Sequence, residues 1–328
     1  MKVAFFEVKD WEAQYLKDKF NQHPGYELIF FSTVLDQNHL PTDQSFDVIS
    51  VFTGSKIDKA ILDNFPQLKL IATRTTGVDH IDAEAVKQKG VLVKNVPTYG
   101  ENTVAEFTFA LLLALSRKIV AAANRVKDKG SFTSDGLQGF DLAGKTIGVV
   151  GTGHIGQHVI RIANGFGMKV VCFDAVPNRV LEKQLNFQYV DLENLLKTSD
   201  VITLHVPYLP TTHHLINKGN ISLIKKGAVL INTARGSIVE TEALVKALND
   251  GILSGIGLDV LEEETELKNT RQLLLEGELS DEDLRTVLND HILIDMDNVI
   301  ITPHNAFNTK EAIIRILNTT IDNIELFK

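Results

Sequence analysis

Short runs rich in Val and Ile and apolar on both faces alternate along this chain with longer stretches in which apolar residues recur every three or four positions. Strands buried between two layers of helix have no solvent face and show the first pattern, whereas amphipathic helices show the second. The runs predict strands at 3–8, 27–31, 48–52, 69–73 and 91–94, then a second series at 146–150, 169–173, 201–204, 228–232, 255–258 and 299–302. Helical periodicity fills the gaps, including a long, nearly all-round apolar stretch from Val104 to Ala123. That stretch suits a subunit interface or a buried helix alike. Strand and helix in regular alternation predict α/β architecture: two doubly wound parallel-sheet domains, Rossmann-like or flavodoxin-like.

A chain of 328 residues fits two domains of ordinary size. The turn at Tyr99-Gly100-Glu101 marks one boundary. The charged, poorly periodic segment 264–290 interrupts the second series, and only one strand and one helix, 310–327, follow it. Two elements cannot bury a core alone, so they are expected to dock on the first domain. That makes it discontinuous, 1–99 with 300–328, around a second domain of 100–299.

Composition narrows the function. With 33 Lys+Arg against 42 Asp+Glu, the net charge of -9 argues against nucleic acid as a partner. The apolar stretch 104–123 is interrupted by Glu106, Ser116, Arg117 and Lys118, so no membrane span is expected. The opening MKVAFFEVKD reads as a first strand and not a leader. A single cysteine, Cys172, excludes an intramolecular disulfide and favours a reducing, cytoplasmic setting.

Gly151-Thr-Gly153-His-Ile-Gly156 follows one predicted strand and opens a helix. The next strand ends in Asp174, 18 residues beyond Gly156. This is the spacing of a dinucleotide site: glycines permit a tight turn and close approach to a pyrophosphate, and the helix N-terminus favours the phosphates. Asp174 would accept from the ribose hydroxyls and repel a 2′-phosphate, so NAD is the expected cofactor. Arg179 is the one nearby cation that argues otherwise. No metal is expected.

Three further residues lie just past predicted strands, at the edge where ligands of such sheets bind. Arg235, in Asn-Thr-Ala-Arg-Gly, has the planar fork that holds a carboxylate bidentately. His304, in Thr-Pro-His, can protonate a forming alkoxide. Glu264 ends the acidic run after Asp259. Taken singly, each has a plainer reading: a turn cap, a structural histidine, a solvated acidic face.

Taken together, GTGHIGQ, LHVPYLPTTHHLIN, INTARGSIVET, GIGLDVLEEE and TPHNAF resemble, in order and spacing, the D-isomer-specific 2-hydroxyacid dehydrogenases, closest to the branch acting on D-lactate. The resemblance covers essentially the whole chain. It implies an NAD-dependent oxidoreductase that reduces a small 2-keto acid, pyruvate first, with Arg235 binding the carboxylate, His304 as acid/base and Glu264 paired with it. It also implies that His154, Ile155, Val206, Pro207, Thr212, Thr233, Ala234 and Asp259 face the cofactor in the second domain. The Thr76-Gly77-Val78 loop of the first domain would hold the substrate, and the molecule would be a homodimer. Phe52, Tyr99 and Phe307 are candidates to line the side-chain pocket. Where lactate-type members often carry tyrosine after that last phenylalanine, this chain has Asn308, which leaves bulkier keto acids open. Hydroxyisocaproate, glyoxylate and phosphoglycerate are the rival substrates. A rival of another class is an NAD-responsive corepressor-like binding protein. Tyr15-Leu-Lys-Asp-Lys19 matches a YxxxK pair but precedes the nucleotide motif and reads as a solvated helix.

Overall fold

The computed structural model describes residues 1–21, 23, 25–262 and 280–327. The chain forms two compact units, one of Met1–Gly100 with Asn308–Lys328 and one of Glu101–Phe307.

The first unit is a five-stranded sheet in the order β2-β1-β3-β4-β5, built from β1 (Lys2–Phe5), β2 (Glu27–Phe30), β3 (Val48–Ser50), β4 (Leu70–Ala72) and β5 (Leu92–Lys94). Every pairing in it is parallel. Helices α1 (Asp10–Phe20), α2 (Lys59–Asp63) and α3 (Ala83–Lys89) connect the strands. Asp82 caps α3 by accepting from the amides of Glu84 and Ala85, and Gly90 ends it at φ 70°. One face of this sheet is closed by a helix from far along the chain (Lys310–Glu325), whose Ile313, Leu317, Ile321 and Ile324 pack with Val3, Phe5, Leu16 and Phe20. Tyr15 Oη donates to Asn318 Oδ1 at 2.7 Å, so the YxxxK tyrosine serves this packing.

The second unit is a seven-stranded sheet in the order β12-β11-β10-β9-β6-β7-β8, again parallel throughout. Its strands are β6 (Thr146–Val150), β7 (Lys169–Phe173), β8 (Gln188–Tyr189), β9 (Val201–Leu204), β10 (Ala228–Asn232), β11 (Leu253–Leu258) and β12 (Val299–Ile301). Between and around them run α4 (Glu101–Ser116), α5 (Ile119–Lys129), α6 (His154–Gly165), α7 (Arg179–Leu185), α8 (Leu192–Thr198), α9 (Thr241–Asn249) and α10 (Asp281–Ile294); the helix 310–325 of the first unit is α11.

Two expectations change. The single helix over 104–123 is two helices, because Lys118 takes the left-handed conformation (φ 53°) and breaks the ladder between α4 and α5. Helix α4 buries Val104, Ala105, Phe109, Leu111, Leu112 and Leu115, whereas α5 buries no residue in this chain. The boundary expected at 300 also moves. Val299–Ile301 pairs with β11 through Ile256–Leu258, so the strand and the loop after it stay with the second sheet. Only α11 returns to the first.

Candidate active site

Because the second sheet is parallel, its carboxyl edge gathers the loops that follow neighbouring strands. Read across that edge from β12 to β7, the chain presents His304, Asp259, Arg235, His205–Pro207, Gly151–Gly156 and Asp174, one feature per strand. Neighbouring strands lie about 4.8 Å apart, so the six span on the order of 24 Å.

The dinucleotide turn is built to exclude side chains. Gly151 has φ 97°, and a Cβ on Gly156 would lie 2.0 Å from the carbonyl oxygen of Gly151. Only glycine lets α6 approach its own turn this closely. Gly153 starts α6 without a side-chain cap, leaving His154 and Ile155 in the first turn. Asp174 Oδ2 accepts from Thr152 N (2.7 Å) and Thr152 Oγ1 (2.9 Å), and Oδ1 accepts from Val176 N (2.9 Å). Burial raises its carboxyl, but these three bonds outweigh it and hold the group below the ordinary range. A carboxylate has about four acceptor positions, so one remains for a ribose hydroxyl. Tyr189 Oη bonds Thr152 Oγ1 at 2.7 Å and accepts from Asn178 N. Arg179 lies over the Tyr189 ring and pairs with Glu182 at 3.0 Å.

Past β9, His205 bonds Thr203 Oγ1 through Nε2 at 2.8 Å, while its Nδ1 is sealed from solvent without a partner. Burial lowers the imidazole to about 3. Val206 and Pro207 follow. Thr212 spends its hydroxyl on its own turn, donating to Pro207 O (2.7 Å) and accepting from Leu209 N (2.8 Å). Thr233 bonds Thr108 of α4 through its hydroxyl at 3.0 Å, and Ala234 N donates to Asn232 Oδ1. Arg235 is half-buried, with Nη1 donating to Ala234 O at 2.8 Å.

Asp259 organises the loop that carries His304. Its carboxylate accepts from Thr302 Oγ1, Asn305 N (2.8 Å) and Ala306 N (2.7 Å), and its carbonyl accepts from His304 N (2.9 Å). Held at four points, His304 adopts the left-handed conformation (φ 51°), which few non-glycine residues take without such restraint. Burial pushes the Asp259 carboxyl up, and the three bonds it accepts only partly offset this. Its oxygens are turned to the histidine loop. Glu264 lies outside the described residues. Glu262 is committed elsewhere, to His214 and Thr241.

The other candidates are distributed by unit. Phe307 closes the second. In the first, Phe52, Thr76–Val78 and Tyr99 follow β3, β4 and β5 at the carboxyl edge of that sheet. The Thr76 loop is held by Thr76 Oγ1 donating to Val96 O (2.9 Å) and Asn95 Nδ2 donating to Thr76 O (2.7 Å). Phe52 N donates to Glu7 Oε1, and Tyr99 O accepts from Arg315 Nε.

Residues 109–306 match the model for "D-isomer specific 2-hydroxyacid dehydrogenase, NAD binding domain". The D-lactate dehydrogenase of Escherichia coli is 34% identical over 329 residues, 99% of this chain and 96% of that protein. This chain belongs to the D-isomer-specific 2-hydroxyacid dehydrogenases. Among solved structures, the dehydrogenase is similar to D-lactate dehydrogenase from Aquifex aeolicus, crystallised with NAD and lactic acid. That match has a TM-score of 0.84 and 38% identity, covering 99% of this chain and 95% of that one. The pyruvate reductase of Chlamydomonas reinhardtii gives a TM-score of 0.86 and 35% identity, covering 99% and 95%. As a member of this family the dehydrogenase is an NAD-dependent oxidoreductase, and the open space at Gly153 and the remaining acceptor position of Asp174 fit that cofactor. Thr152, Tyr189, His205 and His214 were not singled out from the sequence, and Glu262 only as part of the acidic run beside Glu264. All but Tyr189 lie inside a quoted motif.

Proposed function

We propose that this dehydrogenase reduces pyruvate to D-lactate with NADH. The observation that carries the reading is the row along the second sheet: a restrained histidine, an arginine fork and a dinucleotide turn on alternate strands of one edge. Similarity over the whole chain to relatives named D-lactate dehydrogenase and to a pyruvate reductase favours pyruvate among the keto acids. Bound NADH supplies the hydride. Arg235 takes the carboxylate of the keto acid through its guanidinium, which fixes the ketone carbon and lowers the entropy cost of the encounter. His304 donates its ring proton to the ketone oxygen as negative charge builds there, and in the reverse direction removes it. Glu264, outside the described residues, is the residue that the family resemblance pairs with this imidazole. The family resemblance assigns the remaining substrate contacts to Thr76–Val78, Phe52, Tyr99 and Phe307. NADH oxidation followed across a panel of 2-keto acids, with chiral analysis of the product, tests the reading. Glyoxylate or a branched keto acid turned over more efficiently than pyruvate would overturn the substrate. Tight NADH binding with no turnover on any of them would favour the corepressor-like alternative.

The same proposal makes the enzyme a cytoplasmic homodimer. Helix α5 is amphipathic yet leaves Ile119, Val120 and Val126 exposed, and Phe132 beyond it is 92% exposed. A second copy is the occupant that the family resemblance supplies. Sedimentation at the 36.3 kDa of a single chain would contradict it. Among the described residues no helix is long and apolar enough to cross a membrane.

A further inference from the structure

The loop that carries Arg235 runs from Asn232 at the end of β10 to Thr241 at the start of α9. Its first end is tied by Asn232, whose Nδ2 donates to Arg235 O at 2.8 Å. Its middle is pressed on the chain leaving β11: a Cβ on Gly236 would lie 1.9 Å from Leu261 O and 2.4 Å from Glu262 N. Its far side runs beside 214–216, where His214 N donates to Ser237 O (2.8 Å) and Glu240 N donates to Ile216 O (2.9 Å).

One carboxylate joins these three segments. Glu262 Oε1 bonds His214 Nε2, and Oε2 accepts from both Thr241 N (3.1 Å) and Thr241 Oγ1 (2.8 Å). Glu262 therefore caps α9 from a distant part of the chain, since the preceding residue, Glu240, makes no side-chain cap. A negative charge at a helix N-terminus is favourable, and the Glu262 side chain is only 10% exposed. His214 is itself restrained, with φ 48°, its carbonyl accepting from Asn217 Nδ2 and its ring stacked on His213 at 3.9 Å.

We propose that Glu262 and His214 are positioning residues for Arg235. They clamp the Arg235 loop between the exit of β11 and the 212–217 segment, and so set keto-acid capture without touching substrate or nucleotide. The inference rests on Arg235 being the carboxylate anchor. A bidentate contact is sensitive to small displacement, whereas the nucleotide turn follows β6, two strands from the exit of β10 and three from that of β11.

The test uses the full-length enzyme, with pyruvate kinetics and NADH binding measured in parallel. Glu262→Ala should raise the pyruvate KM by about tenfold or more, with kcat reduced far less and the NADH Kd within about twofold of wild type. His214→Asn, which tolerates the left-handed backbone but is too short to reach Glu262, should move KM in the same direction. Glu262→Gln, which can still accept from Thr241, should restore most of the loss. In an Arg235→Lys background the Glu262→Ala effect should shrink to less than about twofold, because residues acting through one another are not additive. If Glu262→Ala does not fold, His214→Asn alone and combined with Arg235→Lys carries the same comparison. Unchanged pyruvate KM in the clamp variants, parallel losses of NADH affinity, or full additivity with Arg235→Lys would each overturn the inference. Should Arg235→Lys alone leave the pyruvate KM unchanged, it is the anchor reading that has failed, and the inference falls with it.

Discussion

Replacing His205 by Gln should make the enzyme more tolerant of acid. The imidazole Nδ1 is sealed, and burial lowers the group from 6.5 to about 3. An unfolded chain therefore protonates this histidine first as pH falls. Its contribution to stability is fully present above pH 6.5 and is lost progressively between pH 6.5 and 3. At pH 5 the unfolded side chain is almost wholly charged and the folded one neutral, which costs about 2 kcal/mol relative to pH 7. Glutamine keeps a polar group near Nε2, facing Thr203, and cannot be protonated in this range. Packing lost on substitution is the same at both pH values, and the other nine histidines are common to both proteins. Urea unfolding followed by far-UV circular dichroism, at pH 7 and at pH 5, gives the four stabilities needed. The gap between wild type and variant should shift by about 2 kcal/mol in favour of the variant on going to pH 5. An equal loss in both proteins would refute the buried neutral histidine.

Three other outcomes follow from the site. Asp259→Asn puts a donor where the carboxylate accepts from Asn305, Ala306 and Thr302, so the His304 loop should slip; kcat should fall by roughly 10²–10⁴-fold, as for a lost general acid, with circular dichroism and NADH binding retained. Gly156→Ala sets a methyl group against Gly151 O and should weaken NADH binding by about tenfold or more in a fluorescence titration, while pyruvate specificity is unaltered. Asp174→Ala removes the charge that repels a 2′-phosphate and narrows the gap between NADH and NADPH in kcat/KM; wild-type enzyme that uses both equally would contradict the assigned role.

Short runs rich in Val, Ile and Leu announced themselves: 146–150, 169–173, 201–204 and 228–232 stand in the structure with the limits read from the chain. In the first unit the ladders stop short of the apolar runs, since Phe6, Val8 and Val51 are buried without belonging to a strand. The two-residue β8 left no periodicity to detect. The break at Lys118 was hidden because apolar residues continue on both sides of it, and only the Arg117-Lys118 pair hinted at a stop. The partner of β12 could not be read at all, because a parallel strand carries no mark of its neighbour. The same limit applied to the site. Residue types at strand ends pointed to Arg235 and His304, but which side chains hold them depends on contacts between loops more than 40 residues apart, such as Asp259 with Asn305 and His214 with Glu262.

Closure of the first sheet by α11 has a consequence for how the protein is made. Val3, Phe5 and Leu16 leave the ribosome early, yet the Ile313, Leu317, Ile321 and Ile324 that cover them follow only after the whole of 101–307. The nucleotide unit can therefore fold during translation while the first sheet waits with one greasy face uncovered, a state that invites aggregation and chaperone capture. A chain released at Phe307 should bind a hydrophobic dye strongly and lose that signal when a peptide of residues 308–328 is added. Equal dye binding before and after the addition would show that the nascent sheet conceals this face in some other way.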